Sequence, residues 1–179
     1  WQIRFLKQLQ RDVVIFIDEP YLVSIGSSFI NISARDITRV LDEINGAIKE
    51  EGAISGIHCC GNTDWQLLLK RGIDIINFDA YNFMKEFFLY ASDIEEFLKN
   101  NGTIAWGIVP SSHAAGDESA AVLTKKLNDG IKLLSDKGID INNISSLITP
   151  SCGLGTIEEE TAEKIISLTG SVSRSMAGS

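Results

Sequence analysis

Short runs of apolar, mostly β-branched residues alternate along this chain with longer stretches in which apolar residues recur every three to four positions. The short runs are typical of strands buried in a parallel sheet, and the longer stretches are typical of amphipathic helices. Five strands are predicted, over residues 13–17, 53–57, 73–78, 103–109 and 145–149. Helices are predicted over residues 1–9, 33–51, 65–71, 84–99 and 119–136, and a last helix begins at 158–160. The strict alternation of strands and helices predicts an α/β fold with parallel strands and right-handed crossovers.

Distinctive polar side chains follow the carboxyl ends of these strands, which share one rim of a parallel sheet. They are Asp18, Glu19, His58, Cys60, Asp79, His113 and Cys152. Active sites lie at this rim in barrels of eight βα units and in open doubly wound sheets. Side chains from the second, third and fifth strands converge on one atom more readily in a closed barrel, because an open sheet spreads its strand ends apart.

The predicted fold is therefore the carboxyl-terminal part, about five βα units, of a TIM (β/α)8 barrel. Residues 1–179 are expected to form a single domain that lacks about three amino-terminal units. The chain opens inside an amphipathic helix without a cap or an initiator Met. This start suggests part of a longer polypeptide.

Three of the five His and Cys side chains of the chain lie within three positions, at His58, Cys59 and Cys60. His58 and Cys60 are two residues apart, so at the end of a strand they point to one side while Cys59 points away. Cys152 also stands where an apolar run ends in a turn. One imidazole and two thiolates suit zinc, and three protein ligands are typical of catalytic zinc sites. The alternative is that these are ordinary buried core residues.

Composition narrows the function classes further. The formal net charge of −8, without a Lys/Arg cluster, argues against binding to nucleic acid. The sequence contains neither an apolar run long enough to cross a membrane nor a signal peptide, so no membrane partner and a cytoplasmic location are expected. Three cysteines, two of them adjacent, make a poor disulfide framework and fit a reducing compartment.

Four motifs occur in a specific order along the chain. They are Asp18-Glu19-Pro20 after the first strand, His58-Cys59-Cys60 after the second, an acidic residue at Asp79 after the third, and Pro150-Ser151-Cys152-Gly153-Leu154 after the fifth. This order resembles the catalytic barrel of cobalamin-independent methionine synthase and its short core-type relatives. More distantly, it is similar to zinc methyltransferases of the uroporphyrinogen decarboxylase-like superfamily that act on methylated corrinoids. The resemblance covers nearly the whole chain.

The resemblance implies zinc bound by His58, Cys60, Asp79 and Cys152. The family usually has Glu in place of Asp79, and the shorter side chain leaves open a role as a hydrogen-bond acceptor beside the metal ligands. By the same resemblance, Asp18 holds the amino group of a homocysteine-like thiol. Glu19 either shares that task or is simply solvated.

The implied activity is a zinc-dependent thiol methyltransferase. Zinc lowers the pKa of a bound thiol, and the resulting thiolate attacks the methyl group of a methylcorrinoid or methyltetrahydrofolate donor. Long methionine synthases are similar to this chain but carry Asp-Ile-His after the fourth strand, where this chain has Gly107-Ile108-Val109. The missing proton donor favours a methylcorrinoid protein or free methylcobalamin. His113, a few residues further on, is the candidate substitute, or else an ordinary loop histidine.

Two alternatives to this activity remain open. One is a metal-free decarboxylase of the same superfamily, which would not need Cys60 and Cys152. The other is a non-catalytic zinc-binding barrel fragment, or a subunit that a second chain or an amino-terminal portion completes.

Overall fold

A computed structural model describes residues 1–9, 12–24, 33–140 and 145–178 of the chain. Its strands are β1 (Val14–Asp18), β2 (Ile54–Cys59), β3 (Ile75–Phe78), β4 (Thr103–Val109) and β5 (Ser146–Pro150). Its α-helices are α1 (Gln2–Leu6), α2 (Ala34–Glu50), α3 (Trp65–Leu69), α4 (Ala80–Phe87), α5 (Ala91–Lys99), α6 (Ala120–Asp136) and α7 (Glu159–Ala177). Short 3₁₀ turns cover Pro20–Ser24, Phe88–Tyr90 and His113–Gly116. The predicted α/β fold is confirmed.

All five strands are parallel and lie in the order β1-β2-β3-β4-β5. Each strand thus pairs with the next one along the chain. Right-handed crossovers that always advance in the same direction place every connecting helix on the same face of the sheet. The sheet is therefore wound in one direction only, unlike a doubly wound sheet, in which the strand order reverses.

The main core lies between the helices and this one face of the sheet. Strand side chains that alternate along the sequence form its floor: Ile57, Ile76, Phe78, Ile104, Trp106 and Ile108. The helices cover them with Leu41, Leu68, Phe87, Ile94, Leu123, Leu127, Ile165 and Val172. All of these residues are buried, so every second side chain of a strand packs against the helices.

The opposite face of the sheet, called here the open face, carries side chains that alternate with those of the core. Strand register places Val14 and Phe16 beside Ile54 and Gly56, and Leu147 beside Ala105. Val14 is 43% exposed and Phe16 is 38% exposed. The apolar run 13–17 predicted a buried first strand, and this expectation is wrong for the described residues because no second layer of theirs covers the open face: Ile54, on the interior strand β2, is 42% exposed as well. The burial of β1 depends on neighbours that a single run of residues does not reveal.

Capping side chains account for where two of the helices begin. Ser33 is the N-cap of α2, since its Oγ accepts the backbone N–H of Asp36 at 3.1 Å. A single helix was predicted over 84–99, and this is wrong: two helices, α4 and α5, joined by a 3₁₀ turn, occupy the region. The first of them starts earlier than predicted, at Ala80, because the Asp79 carboxylate caps it.

None of the helices in the described ranges combines the length and the apolar character that crossing a bilayer requires.

Candidate metal centre

Three potential metal ligands meet at the carboxyl-end rim of the sheet. One ring nitrogen of His58 and the Sγ atoms of Cys60 and Cys152 all lie within 4.8 Å of one another. His58 belongs to β2, Cys60 directly follows that strand, and Cys152 follows β5. The structure thus brings together side chains that are far apart in the sequence, as the strand-end argument predicted.

The residue between the first two ligands points away from the cluster. Cys59 is 1% exposed and belongs to the helix-side core. Burial raises the pKa of its thiol, which donates a hydrogen bond to the Gly61 carbonyl. Cys59 is therefore a core residue, and the predicted difference between the adjacent cysteines is observed.

Contacts between side chains from the ends of β2 and β5 indicate that the sheet curves at this rim. Neighbouring strands are about 4.8 Å apart, so three strand spacings of a flat sheet would separate β2 from β5 by about 14 Å. The ligand atoms from the ends of these two strands nevertheless lie within 4.8 Å of one another. These contacts, and the 2.8 Å hydrogen bond from Asn77 Nδ2 on β3 to Thr149 Oγ1 on β5, indicate that the rim bends towards the open face.

The two nitrogens of His58 have different surroundings. Nδ1 lies 2.5 Å from Oδ1 of Asn77 on the neighbouring strand. Nε2 is buried and has no hydrogen-bond partner among the described residues. A buried nitrogen without a partner is costly, by about 1–3 kcal/mol. A metal ion held with Cys60 and Cys152 would satisfy it.

Hydrogen bonds from the loop after β4 fix the turn that carries Cys152. Ser111 Oγ accepts the Cys152 backbone N–H at 2.7 Å and donates to the Cys152 carbonyl at 2.8 Å. The Ser111 backbone N–H donates to Ser151 Oγ at 3.0 Å. These bonds hold an otherwise exposed cysteine in one place on the rim.

Gly107 lets β4 lie close to β3 and to the turn after β5. A Cβ atom at Gly107 would lie 2.4 Å from the Phe78 carbonyl oxygen and 3.0 Å from the Ser151 Cα atom. Both neighbours are backbone atoms, which cannot move aside as a flexible side chain does. Glycine is thus required where β4 passes beneath the turn that carries Cys152.

The thiol of Cys60 is disposed to hold its proton when no metal is bound. Burial raises its pKa, and the charge of Cys152, a hydrogen bond to it and the charge of Asp79 raise it further. A metal binds the thiolate, so binding must displace this proton.

Zinc binding should therefore strengthen as the pH rises. A raised thiol pKa means that the site holds a proton at neutral pH, and each thiol proton displaced makes the apparent affinity about tenfold greater per pH unit. Competition with a chelator of known proton affinity, at several values between pH 6.5 and 8, measures the slope. Proton release is checked by calorimetry in buffers of different ionisation enthalpy. A pH-independent affinity would contradict the assignment of Cys60 as a ligand.

Asp79 lies close to the cluster, but its carboxylate is engaged in capping α4. Oδ1 accepts the Asn82 backbone N–H at 2.9 Å, and Oδ2 accepts from the Asn82 side-chain amide at 2.7 Å. The three-residue cluster does not include Asp79, although its charge acts on Cys60. Its role as a direct ligand stays a prediction.

A small cavity adjoins the cluster on the open face. It has a volume of about 220 Å³. Its lining consists of Phe16, His58, Asn77, Thr149, Pro150, Cys152 and Gly153. Two of the three candidate ligands thus face a space bounded partly by an aromatic ring and a proline.

The acidic residues after β1 lie beside His58. Asp18 is exposed and pairs in register with His58, so its side chain lies on the same face of the sheet. The Glu19 backbone N–H donates to the His58 carbonyl at 3.3 Å, which ties this loop to the end of β2. A negative charge is therefore available at the edge of the site.

Val109 and His113 follow the end of β4. Val109 is fully buried in the core and supplies no proton donor. His113 is exposed and begins the 3₁₀ turn His113–Gly116. Its proposed catalytic role stays a prediction.

Residue types allowed the three candidate ligands, one imidazole and two thiols, to be predicted from the sequence, but not the residues that support them. Asn77, Ser111 and Ser151 are common polar residues that gain significance only from contacts across strands. A signal for Asn77 was nevertheless present, since it is the one polar residue of β3 and stands two positions before Asp79. At strand spacing, this places it on the face that carries His58.

The donor set fits zinc. One imidazole and two thiolates are borderline-soft and soft ligands, which zinc accepts in tetrahedral sites with a further position left for water or substrate. Sulfur and nitrogen ligands stand about 2.0–2.3 Å from zinc, so two ligand atoms of one tetrahedral site lie closer together than 4.8 Å. The three side chains would therefore have to move slightly towards one another.

Neither a scan against models of protein families nor a search of curated proteins found a match to this chain.

Proposed function

We propose that this protein is a zinc-dependent thiol methyltransferase. The observation that supports this most directly is the meeting of His58, Cys60 and Cys152 within 4.8 Å at the carboxyl-end rim of a parallel sheet. When bound there, zinc would supply a Lewis acid that lowers the pKa of a substrate thiol, so that its sulfur reacts as the nucleophilic thiolate. Two cysteine ligands require a reduced site, in keeping with the proposed cytoplasmic location.

The residues around the metal ligands suit a small amino thiol. The cavity beside His58 and Cys152 has room for a short aliphatic chain, with Phe16 as an apolar wall. Asp18 lies on the same face, next to His58, and would pair with the ammonium group of a homocysteine-like substrate. Glu19 would add to the negative potential.

The donor we propose is a methylcorrinoid. Its cobalt leaves in a lower oxidation state, so this donor needs no proton on the leaving group. The buried Val109 cannot supply a proton, whereas methyltetrahydrofolate requires protonation of its leaving nitrogen. His113, in the loop after β4, is the residue we propose as a proton donor if the folate is used.

We further propose that the sheet is a sector of a TIM (β/α)8 barrel. The sequential strand order, the placement of the core on one face only, and the curvature between β2 and β5 all support this. The open face carries exposed Val14, Phe16, Ile54 and Leu147 beside the candidate site. Further βα units, on the same polypeptide or on a second chain, would cover these apolar side chains.

An assay of the zinc-loaded protein tests the activity. Homocysteine and coenzyme M are offered as acceptors, with methylcobalamin and methyltetrahydrofolate as donors, and methylated product is measured by mass spectrometry. Consumption of methylcobalamin with either thiol is expected. Tight zinc binding without transfer to either thiol would contradict the enzyme and leave a metal-holding role. Activity without zinc would contradict the metal assignment.

Substitution of Asp18 provides a sharper test of the substrate. Asp18→Asn should raise the KM for homocysteine by about tenfold or more, because a charge-assisted hydrogen bond to the ammonium group is lost. Coenzyme M carries no ammonium group, so its KM should change little in the same variant. An equal effect on both thiols would show that Asp18 does not recognise the amino group.

A further inference from the structure

Asn77 connects the candidate metal site to three other strands. It lies on β3, is 7% exposed, and forms three hydrogen bonds through its side chain. Oδ1 faces Nδ1 of His58 at 2.5 Å, while Nδ2 donates to the Ala105 carbonyl at 2.9 Å and to Thr149 Oγ1 at 2.8 Å. One amide thus links β2, β4 and β5 at the level of the rim.

These contacts determine which way the amide of Asn77 points. A backbone carbonyl only accepts hydrogen bonds, so the Asn77 atom that faces Ala105 must be the NH₂ group. If the amide were flipped, two oxygens would meet there, and the second donor bond to Thr149 would also be lost. The amide oxygen must therefore face His58.

The orientation of this amide in turn determines the tautomer of His58. The Asn77 oxygen is an acceptor only, so His58 Nδ1 must carry the hydrogen and donate it. In the neutral ring, Nε2 then presents a lone pair. That nitrogen is buried and has no hydrogen-bond partner among the described residues, and a ring nitrogen of the same histidine lies within 4.8 Å of the Sγ atoms of Cys60 and Cys152.

We infer that Asn77 is a positioning residue: its locked amide holds His58 as the Nδ1–H tautomer, with Nε2 already disposed to bind the metal. This inference rests on the proposed zinc site and adds to it a residue that no part of the sequence motif contains. Hydrogen bonds of this kind commonly orient metal-bound histidines, and their loss weakens metal binding by about 10- to 100-fold.

Three variants separate this role from a general contribution to folding. Asn77→Leu has a similar volume but cannot accept the hydrogen bond from His58. Asn77→Asp keeps the acceptor but replaces the donor group with a second oxygen and adds a negative charge. Asn45→Leu is the matched control, because Asn45 is also a buried asparagine with a backbone partner, the Arg71 carbonyl, and it lies on α2.

The first measurement is the tautomer in the metal-free protein, by long-range ¹H–¹⁵N correlation spectra of ¹⁵N-histidine-labelled samples. The chain has only two histidines, so His113 serves as an internal reference. His58 is expected as the Nδ1–H form in the wild type, in Asn77→Asp and in Asn45→Leu. In Asn77→Leu, a substantial Nε2–H population is expected. A wild-type His58 that is mainly Nε2–H would overturn the inference without the need for any variant to fold.

The second measurement is zinc affinity by chelator competition. Asn77→Leu should bind about 10- to 100-fold more weakly than the wild type, while Asn77→Asp and Asn45→Leu should bind within a few fold of it. An unchanged tautomer and affinity in Asn77→Leu would overturn the role of Asn77 and leave the zinc site intact. A wild type with the expected tautomer but no zinc binding would instead overturn the proposed function.

Discussion

Replacement of Cys152 by serine is expected to abolish tight zinc binding. The wild-type protein should retain about one zinc per chain after extensive dialysis, and the variant should retain almost none, because a hydroxyl is a far poorer zinc ligand than a thiolate. Loss of a direct ligand should weaken binding by more than the roughly 100-fold that loss of a supporting hydrogen bond causes. Methyl transfer should fall in parallel. Metal analysis and chelator competition measure the effect.

The chain contains a matched control for this experiment. Cys59→Ser changes the same atom type immediately beside Cys60, but Cys59 faces the core on the other side of β2. This variant should lose some stability and keep its zinc. Cys152 is exposed, so its substitution should leave the unfolding midpoint of the metal-free protein nearly unchanged. Equal zinc contents in Cys152→Ser and wild type would contradict the proposed ligand set.

Replacement of Phe87 by alanine should cause a larger loss of stability than any other substitution proposed for this protein. Phe87 is fully buried, stacks on Phe78 with ring centroids 4.1 Å apart, and meets the edge of Trp65 at 5.1 Å. Removal of such a ring costs about 3–5 kcal/mol of unfolding free energy through lost burial and the cavity left behind. Urea unfolding of the metal-free protein measures the change.

The exposed residue Leu89 provides the comparison, since it is 78% exposed in the adjoining 3₁₀ turn. Leu89→Ala should change the unfolding free energy by no more than about 0.5 kcal/mol. Phe78 immediately follows Asn77, so loss of its packing partner should also loosen the rim and weaken zinc binding. A Phe87→Ala variant as stable as Leu89→Ala would show that this aromatic cluster contributes little to the free energy of unfolding.

The positions of the strands could be predicted from the sequence to within about two residues. Each strand is a dense apolar run, and β2 to β5 each follow a helix end marked by a residue with a positive φ angle: Gly52, Gly72, Asn101 and Gly138. The break between α4 and α5 could not be predicted in this way. Phe87, Phe88 and Leu89 form a continuous apolar run, and such a run hides a change from α to 3₁₀ geometry.

The candidate site was predictable only in part, for a different reason. His58, Cys60 and Cys152 are rare residue types at strand ends, so their chemistry and placement both pointed to a metal. The functions of Asn77, Ser111 and Gly107 depend on neighbours in other strands, which the linear sequence does not specify. The exposure of β1 also depends on what covers the open face of the sheet, and its own residues resemble those of a fully buried strand.

The origin of the ligands in β2 and β5 has a consequence for the order of events during synthesis of the chain. A ribosome releases the segment with His58 and Cys60 long before the one with Cys152, and strands β3 and β4 must be added to the sheet between them. A partly synthesised polypeptide therefore offers zinc only two of the three side chains. Metallation through the complete set can follow only after β5 has joined the strands before it.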